Sequence, residues 1–154
     1  MSTVMKRLGD LGLKLPQAPK PVAAYVPAVR TGKLIFVSGQ IPMADGKLVC
    51  TGPVPSVVTI ENARLAARQC VLNALAVLAD VMQVNLDHVK RIVRLGVFVC
   101  SDAGFTEQPK VANGASELLQ EIFGESGRHA RAAVGSIALP LGATVEIEML
   151  VEVE

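Results

Sequence analysis

The spacing of hydrophobic and polar positions changes period several times along the chain, and each change marks an element. Over residues 2–13, Val4, Met5, Leu8 and Leu11 fall near helical spacing, with Ser2 or Thr3 available as a cap and Gly9 and Gly12 as weak points, which predicts a short helix. Pro16, Pro19 and Pro21 rule out helix over 15–22 and predict an extended surface lead-in. Residues 25–30 and 33–38 are rich in β-formers and flank Thr31-Gly32, the pattern of a tight β-hairpin. Gly39-Gln40-Ile41-Pro42 ends the second strand, and Asp45-Gly46 marks another turn before a short run at 47–50. Gly52, Pro53 and Pro55 make 51–58 a loop.

Thr59 stands where an N-cap belongs, and the pattern after it predicts a helix reaching Gln83. Its first half is amphipathic, with Glu61, Arg64 and Arg68 on one face. Its second half, from Cys70 to Val81, is apolar except for Asn73 and Asp80, so most of its sides require cover. Residues 90–100 form a near-continuous apolar β run, the signature of a central strand buried on both faces. Pro109 suits the first turn of a second long helix to about Phe123, closed by Gly124 and Gly127. Residues 129–139 and 144–154 then read as two strands joined around Pro140-Leu141-Gly142, a second hairpin. The order hairpin, helix, strand, helix, hairpin predicts an α+β protein: a mixed β-sheet with two long helices packed on one face. The other sheet face stays apolar and uncovered, so oligomerisation is expected.

Composition narrows the class. The 154 residues fit a single domain (1–154), whose first 20 residues are the N-terminal helix and lead-in. Hydrophobic residues are 51% of the chain but aromatics only 3%, so the core is aliphatic. A formal charge of +1 is too weak a field to steer a polyanion, which argues against nucleic acid as a partner. Cys50, Cys70 and Cys100 lack CxxC spacing, and no leader-like apolar run precedes the first elements, so a reducing cytoplasm is expected. Polar interruptions at Gln69, Asn73 and Asp80 leave no stretch long enough to span a bilayer, and no membrane partner is expected.

Several residues could carry chemistry. Arg131, early in a β-rich segment, could present a planar guanidinium to a carboxylate, although a lone strand Arg is more often a surface residue. Glu146 and Glu148 share one face of the last strand, usually the solvated side of a sheet. Glu146, flanked by Val145 and Ile147, could also orient or deprotonate a water. Tyr25 is the single tyrosine, and Ser38, Gly39 and Gln40 lie at a strand end where backbone N–H groups can meet a ligand. His88 and His129 are far apart and the cysteines supply no matching spacing, so no metal is expected. GxGxxG, GxxxxGK[ST] and GxSxG are all absent, so no nucleotide cofactor is expected and hydrolase-elbow chemistry lacks its device.

The segment Ala130-Arg131-Ala132-Ala133-Val134, through Leu139-Pro140, to Val145-Glu146-Ile147-Glu148 closely resembles the C-terminal signature of the Rid (YjgF) superfamily. Tyr25 and Val37-Ser38-Gly39-Gln40-Ile41-Pro42 resemble that family's first hairpin and its SGQIP segment. The resemblance covers about residues 21–153. The N-terminal helix and 105–113 look like features of a less-studied branch. It implies a chorismate-mutase-like fold whose sheets form a trimeric barrel, a homotrimer with clefts at the subunit interfaces. It further implies hydrolysis of small 2-imino or enamine acids to 2-oxo acids and ammonia, without a cofactor. Arg131 would bind the substrate carboxylate, Glu146 would position the attacking water, and Tyr25, Ser38 and Gly39 would line the cleft. The family's helix-borne Asn corresponds to Asn113, and Ala133 stands where the deaminase branch carries Cys, leaving a backbone contact but no thiol. Relatives called L-PSP endoribonucleases, which inhibit translation, make an endoribonuclease the alternative, although few aromatics are placed to stack bases. A noncatalytic carboxylate-binding trimer is a further one.

Overall fold

Ser2 starts the first helix. In the computed structural model, which describes residues 2–21 and 23–154, its Oγ accepts the Met5 N–H at 3.4 Å and opens α1 (Thr3–Asp10). Val22, the end of the expected lead-in, lies outside the described residues. Val4 and Leu8 of α1 are buried, and Gly12 leaves the helix at φ +70°. Asp87 clasps the start of α1, accepting from Ser2 Oγ and from the N–H groups of Thr3 and Val4 at 2.8–3.0 Å.

The first hairpin pairs β1 (Ala28–Thr31) with β2 (Leu34–Gln40). Residues 25–27, expected as strand, are not: Pro27 has no N–H for a ladder, and the Tyr25 N–H closes a turn on the Ala23 carbonyl at 2.9 Å. The turn falls on Gly32-Lys33 rather than Thr31-Gly32, because Thr31 still pairs with Leu34. A small hairpin of β3 (Met43–Ala44) and β4 (Lys47–Leu48) follows, with Asp45 and Gly46 both at positive φ as such a turn requires. Thr59 caps α2 (Ile60–Ala76), its Oγ1 accepting the Asn62 N–H at 3.1 Å, and a π-helical turn carries the helix on to Val81. After β5 (Val89–Cys100), α3 (Gln108–Phe123) starts on Pro109 and stops at Gly124, φ +61°. β6 (Ala130–Ser136) and β7 (Val145–Val153) complete the chain.

The five long strands lie in the order β1-β2-β7-β5-β6. All neighbours are antiparallel except β5 and β6, which are parallel. The expected second hairpin therefore does not exist. β6 returns through α3 to lie parallel to β5, a crossover that parallel pairing requires, and β7 fills the slot between β2 and β5. β7 is the middle strand, and β5, as expected an interior strand, lies between β7 and β6.

Helices α2 and α3 cover one face, burying Ile35 and Val37 of β2, Leu95, Val97 and Val99 of β5, and Ile147, Met149 and Val151 of β7. The register places Glu146, Phe98 and Val134 in one row of the opposite face, and Leu150 and Arg94 in another. β5 is thus fully buried on its helix side, whereas on the open side Gly96 and Cys100 are buried, Phe98 is partly exposed and Arg94 is exposed. On the open face Phe36, Val29 and Val134 are 49%, 54% and 47% exposed, the apolar surplus that the pattern predicted.

Candidate functional site

Arg131 stands on β6, the edge strand, opposite the buried Leu95, so it projects on the helix side and over α3. Its Nη1 donates to Asn113 Oδ1 at 2.8 Å and to Ser116 Oγ at 3.1 Å. Asn113 and Ser116 lie three residues apart on α3 and so share a face. Both protons of Nη1 are engaged. Among the described residues Nε and Nη2 make no hydrogen bond, and the residue is exposed, so that edge of the planar fork remains open to a carboxylate. Ala133, the next residue of β6 on this side, is partly buried against the core.

A second group forms around β7. Glu146 lies on the open face, half-buried, and its carboxyl rests on Gly39: a Cβ at that position would stand 2.3 Å from Glu146 Oε1. Gly39 belongs to a bulge where β2 slips its register against β7 between Val37 and Gln40. Burial, and then the charge of Glu148, hold the Glu146 carboxyl above the usual glutamate range. Glu148 packs over Gly96 in the same manner and pairs with Arg94 at 3.1 Å. Ser38 donates its hydroxyl to the Val26 carbonyl at 2.8 Å and its N–H to Pro27 at 2.9 Å. These bonds tie the segment carrying the exposed Tyr25 to the bulge.

The candidate residues therefore fall into two groups. Arg131, Asn113 and Ala133 surround one edge of the sheet on its helix side. Tyr25, Ser38, Gly39 and Glu146 gather on or beside the open face, and β5 runs between β6 and β7. A single chain does not bring the guanidinium and the Glu146 carboxyl to one cleft.

Two residues of the first group had no signal in the motifs. Ser116 and His129 join Arg131 through a 2.9 Å bond between Ser116 Oγ and His129 Nε2. The available clue was the alternation His129-x-Arg131, which puts both side chains on the same side of a strand, facing a helix. Among the described residues no three His, Cys, Asp or Glu side chains gather as a metal would need, and no helix is long and apolar enough to cross a membrane.

A family model described as "YjgF/chorismate_mutase-like, putative endoribonuclease" matches residues 5–153. Protein TCP17 of Trypanosoma cruzi is 46% identical over 97% of this chain and 93% of its own. The 2-iminobutanoate/2-iminopropanoate deaminase of Dermatophagoides farinae is 29% identical over 92% of this chain and 95% of its own. A solved Shewanella oneidensis protein described as a "putative endoribonuclease" has a TM-score of 0.94 at 34% identity, covering 99% of this chain and all of that one.

Proposed function

The chain belongs to the YjgF/chorismate-mutase-like family, and from that premise we propose that it is a hydrolase deaminating small 2-imino or enamine acids to 2-oxo acids and ammonia. The observation that carries the reading is the state of Arg131: Nη1 is fixed by Asn113 and Ser116, while among the described residues the Nε/Nη2 edge makes no hydrogen bond and suits bidentate contact with a carboxylate. A relative over nearly the whole length bears the name of such a deaminase.

We place the reaction in a cleft between copies of a homotrimer. The apolar open face gives copies a surface to bury, and packing there would bring the Glu146 group of one copy to the Arg131 group of its neighbour. Arg131 then holds the substrate carboxylate. Glu146 takes a proton from water as the water oxygen bonds to the imine carbon, and passes that proton to the imine nitrogen, giving a carbinolamine. Glu146 then takes the hydroxyl proton and delivers it to the nitrogen as the C–N bond breaks, and ammonia and a 2-oxo acid leave. A carboxyl whose pKa is raised by burial and by Glu148 suits this exchange in both directions. An enamine enters the same route after protonation at carbon. Ala133 supplies only backbone contacts, so substrate selection rests on Arg131 and the Tyr25–Gly39 wall.

The test is release of ammonia and 2-oxo acid from freshly generated 2-iminopropanoate and 2-iminobutanoate. Acceleration that both Arg131→Ala and Glu146→Gln remove is the expected result. No acceleration over buffer would overturn the reading; cleavage of single-stranded RNA abolished by Arg131→Ala would replace it with an endoribonuclease.

A further inference from the structure

We propose that Ser116 and His129 are positioning residues that fix the guanidinium of Arg131 with its Nε/Nη2 edge turned outward. This rests on the carboxylate-binding reading of Arg131 given above, and one arm of the test is independent of it.

The hydrogen-bond directions follow from elementary chemistry. His129 Nδ1 lies 2.7 Å from the Gly127 carbonyl oxygen, and a carbonyl only accepts, so Nδ1 carries the proton. Nε2 of the neutral ring is then an acceptor and receives the Ser116 hydroxyl proton at 2.9 Å. With its one proton committed, Ser116 Oγ can only accept from Arg131, and it does so from Nη1 at 3.1 Å. Burial, with the nearby Arg131 charge, holds the imidazole below its usual pKa, and the Gly127 bond opposes this. A neutral ring agrees with the tautomer assigned from geometry.

Three elements anchor the chain of bonds. Gly127 ends the 3₁₀ turn Gly124–Gly127, pressed so closely on α3 that a Cβ there would lie 2.2 Å from the Leu119 carbonyl oxygen. The acceptor for His129 is therefore fixed relative to the helix that carries Ser116. Ser116 is only 8% exposed, so its hydroxyl has few solvent partners to exchange for His129 and Arg131. Without Ser116, one Nη1 proton of the exposed Arg131 loses its fixed acceptor to mobile water; without the His129 acceptor, the Ser116 hydroxyl is free to turn its proton toward Arg131. In both cases Asn113 alone holds the guanidinium, which can rotate about that single bond.

The variants are Ser116→Ala and His129→Phe, with Ser116→Thr and His129→Gln as rescues that keep a hydroxyl and an acceptor. Thermal melts select the folded ones, and either disruptive variant suffices. KM for 2-iminobutanoate and the Kd for 2-oxobutanoate are expected to rise about tenfold, with kcat within about twofold of the parent, and the rescues to recover most of the loss. A purely structural role would lower the melting temperature and leave KM unchanged. Parent-like KM in a folded disruptive variant overturns the proposal. The independent arm is NMR of the Arg131 guanidinium: slow rotation about Cζ–Nη1 in the parent and fast rotation in the disruptive variants. If the parent neither turns over the imine nor binds 2-oxobutanoate, the deaminase reading fails, and the NMR result decides the positioning role alone. Equal rotation in parent and variants overturns it.

Discussion

At Glu146, the proposed function and stability pull in opposite directions. A carboxyl pushed up by burial and by Glu148 binds its proton at higher pH in the folded chain than in the unfolded one. Stability is therefore lost as pH rises from the usual glutamate value through the raised one, and the loss persists above it. Glu146→Gln should lower kcat on the order of a hundredfold and yet raise the melting temperature at pH 7, the gain vanishing below about pH 4. The parent's kcat should also fall on acidification at a pH above that of an ordinary glutamate. A melt and pH profile of both proteins check this. Arg131→Lys keeps the charge but loses the fork, so KM should rise at least about tenfold with kcat retained. Most of these residues were legible in the chain: Arg131, Asn113, Glu146 and Gly39 follow from the motif, and the bonds to Asn113 and the seat on Gly39 give them a physical setting. Ser116 was not, because a contact between a helix and a strand edge obeys no local spacing, and His129 left only its alternation with Arg131 as a clue.

At the scale of elements, close approach of backbones sets the packing. A Cβ on Gly114 of α3 would lie 2.4 Å from the Arg64 carbonyl oxygen of α2, so Gly114→Ala must push the helices apart. Stability should fall by about 1–3 kcal/mol, read from the denaturation midpoint. Asp87 holds α1 through acceptors for three donors, and these bonds, the one from Val4 N–H first, keep its carboxyl below the usual range. The clasp should weaken as pH falls through that lowered value. Asp87→Ala should raise hydrogen exchange in α1 and leave β5 and β7 protected. The existence of α2, α3 and the first hairpin, and the start of both helices, were readable because caps, prolines and glycines are local signals; the bounds of the hairpin were not, its first strand starting at Ala28 and its turn falling one residue later. The pairing of β6 and β7 was not. Each has a strand's composition, but the choice of neighbour was made by the crossover through α3, which local pattern does not encode.

For the whole molecule, the apolar open face was readable as a surplus: strands with Val, Ile and Phe on both sides, and helices enough to cover one. The proposed trimer uses it. Phe36→Asp places a charge among Val29 and Leu150 and should leave a folded monomer in light scattering, without turnover. The same arrangement explains why the Arg131 and Glu146 groups lie apart within one chain, on two sides of the sheet. The most direct measurement is complementation: Arg131→Ala and Glu146→Gln chains, each inactive alone, are unfolded, mixed in equal amounts and refolded together, and ammonia release from 2-iminobutanoate is followed. Clefts built from two neighbouring copies predict recovery of about a quarter of the parent rate, the share in which both intact halves meet at random. A mixture as inactive as its components, from a parent that turns over, would contradict a site shared between copies.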